Sequence, residues 1–401
     1  MRRSFVALVL AASMLLAAAP VGLASEPGKL LIWADELRTR VVREVAKEFE
    51  QAYGIPVEVQ ELGFGDIRDN LQVTGPAGTG PDIIVGAHDW LGQLVVNGLL
   101  EPIDFQGRED EFIPVTLEAF TWDGKVYGLP YAFESIGLIY NKALVPSPPA
   151  TFEELIQIAK TLTNKSQGRY GFALPMPDPY HTFPLMSAGG GYVFGERDGV
   201  LDPLDIGLNN EGAVAGLELF RRMLHDEQIM PLGVDYNAMA PLFHQGKLAM
   251  MLTGPWAFAD AKKAGIDFGF APVPSIGGKP ARPFVGVQGF MISAFSKNKL
   301  LAQTFLLDYV ATEETMKALF DQDPRPPAYI PTSRAVSSDP LIAGVTAAAS
   351  QGIPMPAIPE MASVWTAWSD AIELVINKAQ SPKQALDDAV ARIRSLIQQG
   401  R

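Results

Sequence analysis

The sequence predicts an α/β protein built as two lobes, and three observations carry that reading. The chain has 401 residues, a length that suits two domains. Its first third alternates short apolar runs with helical periodicity, the pattern of a parallel sheet with helices on its faces. A β-rich stretch then interrupts the alternation, and a second strand–helix series begins near residue 150.

The chain opens on a targeting signal. Arg2 and Arg3 form a basic start, residues 5–19 are an apolar run, and Gly22, Ala24 and Ser25 supply small residues for cleavage. The run is short for a permanent membrane anchor and no basic flank follows it. We expect residues 1–25 to be removed. No Cys stands at the cleavage point to carry a lipid, so the mature protein is expected free in a periplasm or secreted.

Residues 29–33 read as a strand. Residues 37–53 read as a helix, with Leu37, Val41, Val42, Val45 and Phe49 on one face and Gly54 as its stop. Residues 56–61 alternate as a strand, 82–85 form another after the turn-rich 75–81, and 90–97 read as a helix ended by Gly98. Asp123-Gly124 is a hairpin turn inside the β-rich 120–133. Residues 136–140 continue as a strand, as a chain crossing between lobes would. Thr151 and Glu154 form a capping box that opens the second unit. Strands follow at 171–174, 249–252 and 268–272, and helices at 211–225 and 238–245. Residues 284–294 are a long strand and a second candidate crossing. Helices close the chain at 299–310, 313–320, 340–351, 362–378 and 381–399, the last opened by Ser381-Pro382.

Composition excludes several classes of function. The net charge is −13, and about −15 without Arg2 and Arg3, which opposes nucleic-acid binding. The chain has no Cys, and its four histidines (His88, His181, His225, His244) are scattered, so no zinc motif is present. No nucleophile elbow or phosphate-binding loop occurs. No cofactor is expected. Carboxylates are plentiful, so spacing alone leaves a glycosidase pair open.

What recurs is an aromatic beside a carboxylate at strand ends. Trp33 precedes Asp35 and Glu36, His88 precedes Asp89 and Trp90, Phe133 precedes Glu134, and Asp178 precedes Tyr180. Trp256 follows Gly254-Pro255 at the end of 249–252. Ligands of open α/β sheets sit outside the carboxyl ends of strands. A sugar ring stacks its apolar face on an aromatic, and its hydroxyls donate to carboxylates. Each pair also has a plain structural reading, since strand-end aromatics pack core rims and strand-end Asp caps helices.

The runs LLIW (30–33), GPDIIVGAHDW (80–90), LIYNKALVPSPP (138–149), GPWAF (254–258), RPFVGVQGF (282–290) and PEMASVW (359–365) resemble maltose/maltodextrin-binding proteins, the solute-binding subunits of ABC sugar importers. The resemblance runs through the mature chain in order and is nearest to thermophile-type members. It implies the periplasmic binding protein fold, each lobe a mixed sheet flanked by helices and the ligand cleft between them. The expected first lobe is 26–133 with 284–338, and the second 134–283 with 339–401. Asp89 matches the family's hydroxyl-binding Asp, Glu134 the Glu on the crossing segment, and Tyr180, Trp256 and Trp365 its stacking aromatics. Asp178 stands where the family has a sugar-binding Glu. Asp35, Glu36 and Arg38 occupy the first strand-end loop, and Asp66 and Arg68 a neighbouring one. Periodicity alone, with Ile372, Val375 and Ile376, reads Trp365 as core; the resemblance makes it a ligand contact.

The sequence departs from the family's best-known members at four places. Gly86 replaces a Trp before the AHD run, Trp90 replaces an Arg after it, Ser369 replaces an Arg, and Thr366 replaces a Tyr. Trp90 is therefore a candidate for an aromatic moved across its loop. The implied function is capture of maltose or maltodextrin by hinge closure and delivery to a membrane permease, by a monomer that does no chemistry. The alternatives are the same fold holding cyclodextrin or trehalose, and a secreted glycosidase using Asp89, Glu134 and Asp178. A phosphorylated ligand would want cations where these positions are mostly acidic.

Overall fold

The computed structural model describes residues 26–197 and 200–399, so the leader expected over 1–25 lies outside the described residues. Two sheets organise the chain. The first runs Ile353–Pro354, Phe284–Ser293, Ile83–Ala87, Leu30–Ala34, Val57–Glu61, with Leu100–Glu101 and Gly128–Ser135 also paired to Phe284–Ser293. Leu30–Ala34 is parallel to both neighbours, with Leu30 opposite Val57 and Ile32 opposite Ile83. Phe284–Ser293 runs antiparallel to Ile83–Ala87. The second sheet runs Phe268–Ala271, Gly137–Asn141, Leu248–Thr253, Tyr170–Ala173, and its last two strands are parallel.

The chemistry of each strand matches its place. Leu30–Ala34 is apolar throughout and buried throughout, as an interior parallel strand with both faces covered must be. Val57–Glu61 alternates and lies half-exposed at the edge. The helix Thr39–Tyr53 lays Val41, Val42, Val45 and Phe49 on the core, and Gly54 ends it at φ 65°, donating its N–H to Glu50 O at 2.8 Å. The Asp123-Gly124 hairpin forms, with both residues at positive φ (47° and 72°) as a two-residue I′ turn requires. Thr151 caps Phe152–Leu162 by accepting the Glu154 N–H at 3.1 Å. The Glu154 carboxylate reaches back one residue further than a capping box does, to the Ala150 N–H at 2.9 Å.

Several boundaries differ from expectation for identifiable reasons. The first helix starts at Thr39 rather than 37, because the Asp35 carbonyl takes the N–H groups of Arg38 and Thr39 in a tight turn. The helix expected over 90–97 is a 3₁₀ turn at His88–Trp90 followed by Leu91–Val96. That expected over 299–310 becomes α-helix at Lys299–Thr304 and π-helix at Phe305–Val310. That expected over 362–378 is Trp365–Ile376 behind a 3₁₀ turn at Pro359–Ser363. The short helices Pro114–Ala119, Phe258–Lys263 and Ile330–Val336 lie outside the expected set, as do two longer ones. Phe64–Thr74 buries only Ile67 and Leu71, so its apolar period is faint. Pro179–Ser187 is buried almost all round and contains Pro184, which leaves no period to read. A hairpin of Phe194–Arg197 with Val200–Ile206 was also missed.

Two strands carry the chain between cores, and a third passage falls between Tyr329 in the first and Val345 in the second. Leu129, Tyr131 and Ala132 belong to the first core, whereas Ile136 and Leu138 belong to the second. Phe290 and Ile292 pack in the first core, but Phe284, on the same strand, is in the second. Its ring stacks on Phe183 with centroids 3.9 Å apart and planes 7° from parallel. Truncating this buried ring removes packing at the crossing itself. Phe284→Ala is expected to cost about 3–5 kcal/mol, read as a lower midpoint in urea unfolding followed by circular dichroism.

Candidate functional site

Parallel pairing brings the candidate residues to two facing edges. Leu30–Ala34 and Ile83–Ala87 point the same way, so Asp35, Arg38, Asp89 and Trp90 emerge on one edge of the first sheet. Tyr170–Ala173 and Leu248–Thr253 likewise deliver Asp178, Tyr180 and Trp256 to one edge of the second. The edges meet across a cleft. The Arg325 guanidinium lies 5.5 Å from the Trp256 ring centroid. A pocket of about 470 Å³ is walled by Phe64, Arg68 and Trp90 on one side and Trp365 and Thr366 on the other.

The polar floor is a chain of buried charges. Arg38 donates to the Asp35 carboxylate at 2.6 Å and to Tyr131 Oη, and stands 3.4 Å from Asp323. Asp323 pairs with Arg325 Nε at 2.7 Å, and Arg325 Nη1 pairs with Glu134. Glu134 also accepts from Gln288 Nε2 at 3.1 Å. All five charged residues are at most 7% exposed. Burial works against each charge, so they persist only because each guanidinium lies between carboxylates. For Arg325, Asp323 and Glu134 overcome desolvation and hold the cation protonated.

Asp89 is outside this chain of pairs. Burial pushes its carboxyl up to about 7, Arg68 pulls it back and Glu134 adds to the rise. No side chain among the described residues hydrogen-bonds it, so it is an acceptor in search of donors. His88 before it is locked. The Val287 N–H donates to Nδ1 at 3.0 Å, so the proton sits on Nε2 and is donated to the Met355 carbonyl at 3.1 Å. Burial lowers its pKa to about 4, and it works as a neutral strut beneath the loop.

Trp90 is 5% exposed, packs on Phe64 at 4.7 Å and has Arg68 5.9 Å above its ring. The exchange at position 86 now has a physical meaning. A Cβ on Gly86 would stand 2.3 Å from the Trp90 ring, so the ring fills the space a side chain at 86 would take. Gly254 serves Trp256 in the same way, a Cβ there falling 2.1 Å from the indole.

The opposite wall is aromatic. Trp256 lies 6.3 Å from Tyr180, Tyr180 5.9 Å from Phe284, and Phe284 6.1 Å from Trp365. Trp365 is half-buried and flanks the pocket, while Trp368, one turn on, is the fully buried core residue. The helical period thus marks the core correctly but through Trp368. Tyr180 Oη is buried with no hydrogen-bond partner among the described residues. Burial first, then Glu134, Asp89 and Asp178, raise its pKa well above the ordinary value, while Arg325 opposes them. It is a neutral donor facing acceptors. Asp178 takes the structural role that strand-end Asp often has. It caps Pro179–Ser187 through the His181 N–H at 3.2 Å and meets His181 Nδ1 at 2.8 Å. Burial works to raise its pKa, but His181 overcomes that and holds it below the usual carboxylate range.

Two candidates stand apart from these groups. Glu36 is exposed, and Asp66 is exposed in the first turn of Phe64–Thr74. Arg68 joins the pocket but also pairs with exposed Asp69 at 2.8 Å. Asp323, Arg325 and Gln288 join the site without having been candidates from the sequence. The first two sit in the Pro-rich 323–327, which has no periodicity, although two opposite charges beside three prolines after a helix are a usable sign. No cluster of His, Asp or Glu among the described residues is arranged to hold a metal. Gly86→Ala is expected to expel the Trp90 ring, costing about 1–3 kcal/mol of stability. Thermal unfolding and a red shift of tryptophan emission would report it.

The family described as bacterial extracellular solute-binding protein matches residues 44–349. The chain is 32% identical over 388 residues to a galactooligosaccharide-binding protein of Bacillus subtilis, covering 93% of this chain and 90% of that protein. It is 33% identical over 386 residues to a maltotriose-binding protein of Pyrococcus abyssi, covering 91% and 80%. Among solved structures it is similar to a cyclo/maltodextrin-binding protein complexed with maltotetraose, with a TM-score of 0.79 and 37% identity over 93% of this chain and 98% of that one.

Proposed function

The chain belongs to the bacterial extracellular solute-binding protein family, and from that premise we propose that it captures maltodextrins in the cleft between its lobes and hands them intact to the permease of an ABC importer. One observation carries the reading. An aromatic wall of Tyr180, Trp256 and Trp365 faces a floor whose charges are paired with one another, leaving Asp89 without a side-chain partner and the Tyr180 hydroxyl without any among the described residues. Paired charges give an ionic ligand no counter-ion, whereas free acceptors and donors beside aromatic faces suit a neutral polyol. The similarity to a structure holding maltotetraose points to an α-glucan.

In this reading the lobes are 26–133 with 284–338 and 134–283 with 339–401, and the protein is a monomer, free in the periplasm or secreted. No helix among the described residues is long and apolar enough to cross a membrane. Tyr180, Trp256, Trp365 and Trp90 stack sugar rings. Asp89 and Arg68 bond hydroxyls, with Asp66 and Glu36 at the rim and Asp178 at the mouth. Asp35, Arg38 and Glu134 act mainly by holding the floor. The galactooligosaccharide-binding relative supports a second reading, in which the preferred sugar is a galactoside.

Calorimetry with maltotriose, maltotetraose, galactotriose, trehalose and glycerol phosphate decides among these. Saturable binding strongest for the maltodextrins, with the sugar recovered at full length, is expected. Strongest binding of galactotriose would move the reading to the second sugar, and of glycerol phosphate would overturn a neutral ligand. Shortened products would reveal a hydrolase, a necessary check because a carboxyl raised to about 7 is also what a general acid needs.

Two further outcomes are expected. Trp256→Ala weakens binding by about 1–3 kcal/mol through lost stacking while the fold persists. Affinity also rises with pH up to about 7 and then levels. Hydroxyls donating to Asp89 favour its charged form, so binding lowers its pKa and releases protons. Calorimetry in buffers of different ionisation enthalpy should show that release near pH 6–7, and Asp89→Asn should abolish it.

A further inference from the structure

We propose that Arg325 is the positioning residue that couples closure of the two lobes to the polar floor of the site, a role that deepens the proposed carbohydrate-binding reading. Arg325 follows the helix Glu313–Gln322, whose Met316 and Leu319 pack in the first core. Trp256 packs against the cores of the second sheet. The 5.5 Å approach of guanidinium to indole therefore joins the two halves of the molecule, and opening the cleft here must break it. The same guanidinium fixes Glu134 through Nη1 and Asp323 through Nε.

The geometry explains why a guanidinium is needed. Its extended, delocalised charge can sit between two carboxylates and still approach the indole, which the compact charge of an ammonium does less well. Arg325 is 4% exposed, so its attraction to the ring is little screened by water. Glu134 lies next to the crossing residue Ser135, whose hydroxyl donates to the Phe284 carbonyl at 3.0 Å, so Arg325 also braces both crossing segments. Closure brings Trp256 onto a cation already anchored to the first lobe. The closed form is thereby favoured before any ligand enters, and the stacking ring is delivered to a fixed position.

The test compares the ligand-free wild type with Arg325→Lys, Arg325→Met and Trp256→Leu by small-angle X-ray scattering, then measures maltotetraose affinity. Loss of a desolvated cation–π contact is expected to shift the closed-to-open ratio about tenfold toward open. All three variants should then show a larger ligand-free radius of gyration. Arg325→Lys should also bind maltotetraose about two- to tenfold more weakly, the larger loss applying where the closed state is the minor one. Should Arg325→Met not fold, Arg325→Lys and Trp256→Leu keep the buried charge balance and carry the same comparison. A ligand-free radius of gyration in Arg325→Lys and Trp256→Leu equal to wild type overturns the proposal. If no maltodextrin binds wild type yet the variants still open, the coupling stands and the carbohydrate reading alone falls.

Discussion

Buried charge is the constraint on which this molecule's site is built. Asp35, Glu134 and Asp323 are carboxylates removed from water, and Arg38 and Arg325 are the only cations within pairing distance of them among the described residues. Each ion would cost several kcal/mol if left alone. The arrangement must therefore be satisfied as a whole, and satisfying it fixes three separate segments: the loop after Leu30–Ala34, the crossing strand at Glu134, and the 323–325 loop. Rigidity at the floor follows from electrostatics rather than from apolar packing.

The second feature is direction. Parallel strands in each sheet send their carboxyl ends to one edge, so the loops that follow them share a face. Small residues then decide where the rings go. Gly86 and Gly254 leave space that the indoles of Trp90 and Trp256 occupy. The result is a cleft with aromatic surfaces on both sides and a floor whose charges are paired with one another. The Tyr180 hydroxyl, buried without a partner, and Asp89, half-buried with no side-chain partner among the described residues, are where a neutral ligand gains most.

Much of the fold was legible because its signals are local. Leu30–Ala34 is recognisable by unbroken apolarity, Thr39–Tyr53 by its 3.6-residue period and Gly54, and the Asp123-Gly124 turn by its dipeptide. The crossing at 128–141 showed as a β-rich break in the alternation. The illegible parts are those whose residues are chosen by distant partners. Pro179–Ser187 is buried all round and lost its period. Asp323 and Arg325 meet Arg38 and Glu134, which lie nearly two hundred or more positions away in sequence, and no spacing rule connects them. Asp178 and Trp365 show the limit in between. The sequence marked both positions as significant, but only the structure shows that Asp178 caps Pro179–Ser187 and that Trp365 lines the pocket while Trp368 fills the core.

The most direct test of the account is a crystal structure of the mature protein grown with maltotetraose. The account predicts one sugar chain in the interlobe cleft, its rings against Tyr180, Trp256 and Trp365 and its hydroxyls within hydrogen-bond reach of Asp89, with the Asp35–Arg38–Asp323–Arg325–Glu134 chain unbroken beneath it. A sugar bound on another surface, or one that displaces Arg325 from Glu134 to reach the floor, would contradict it.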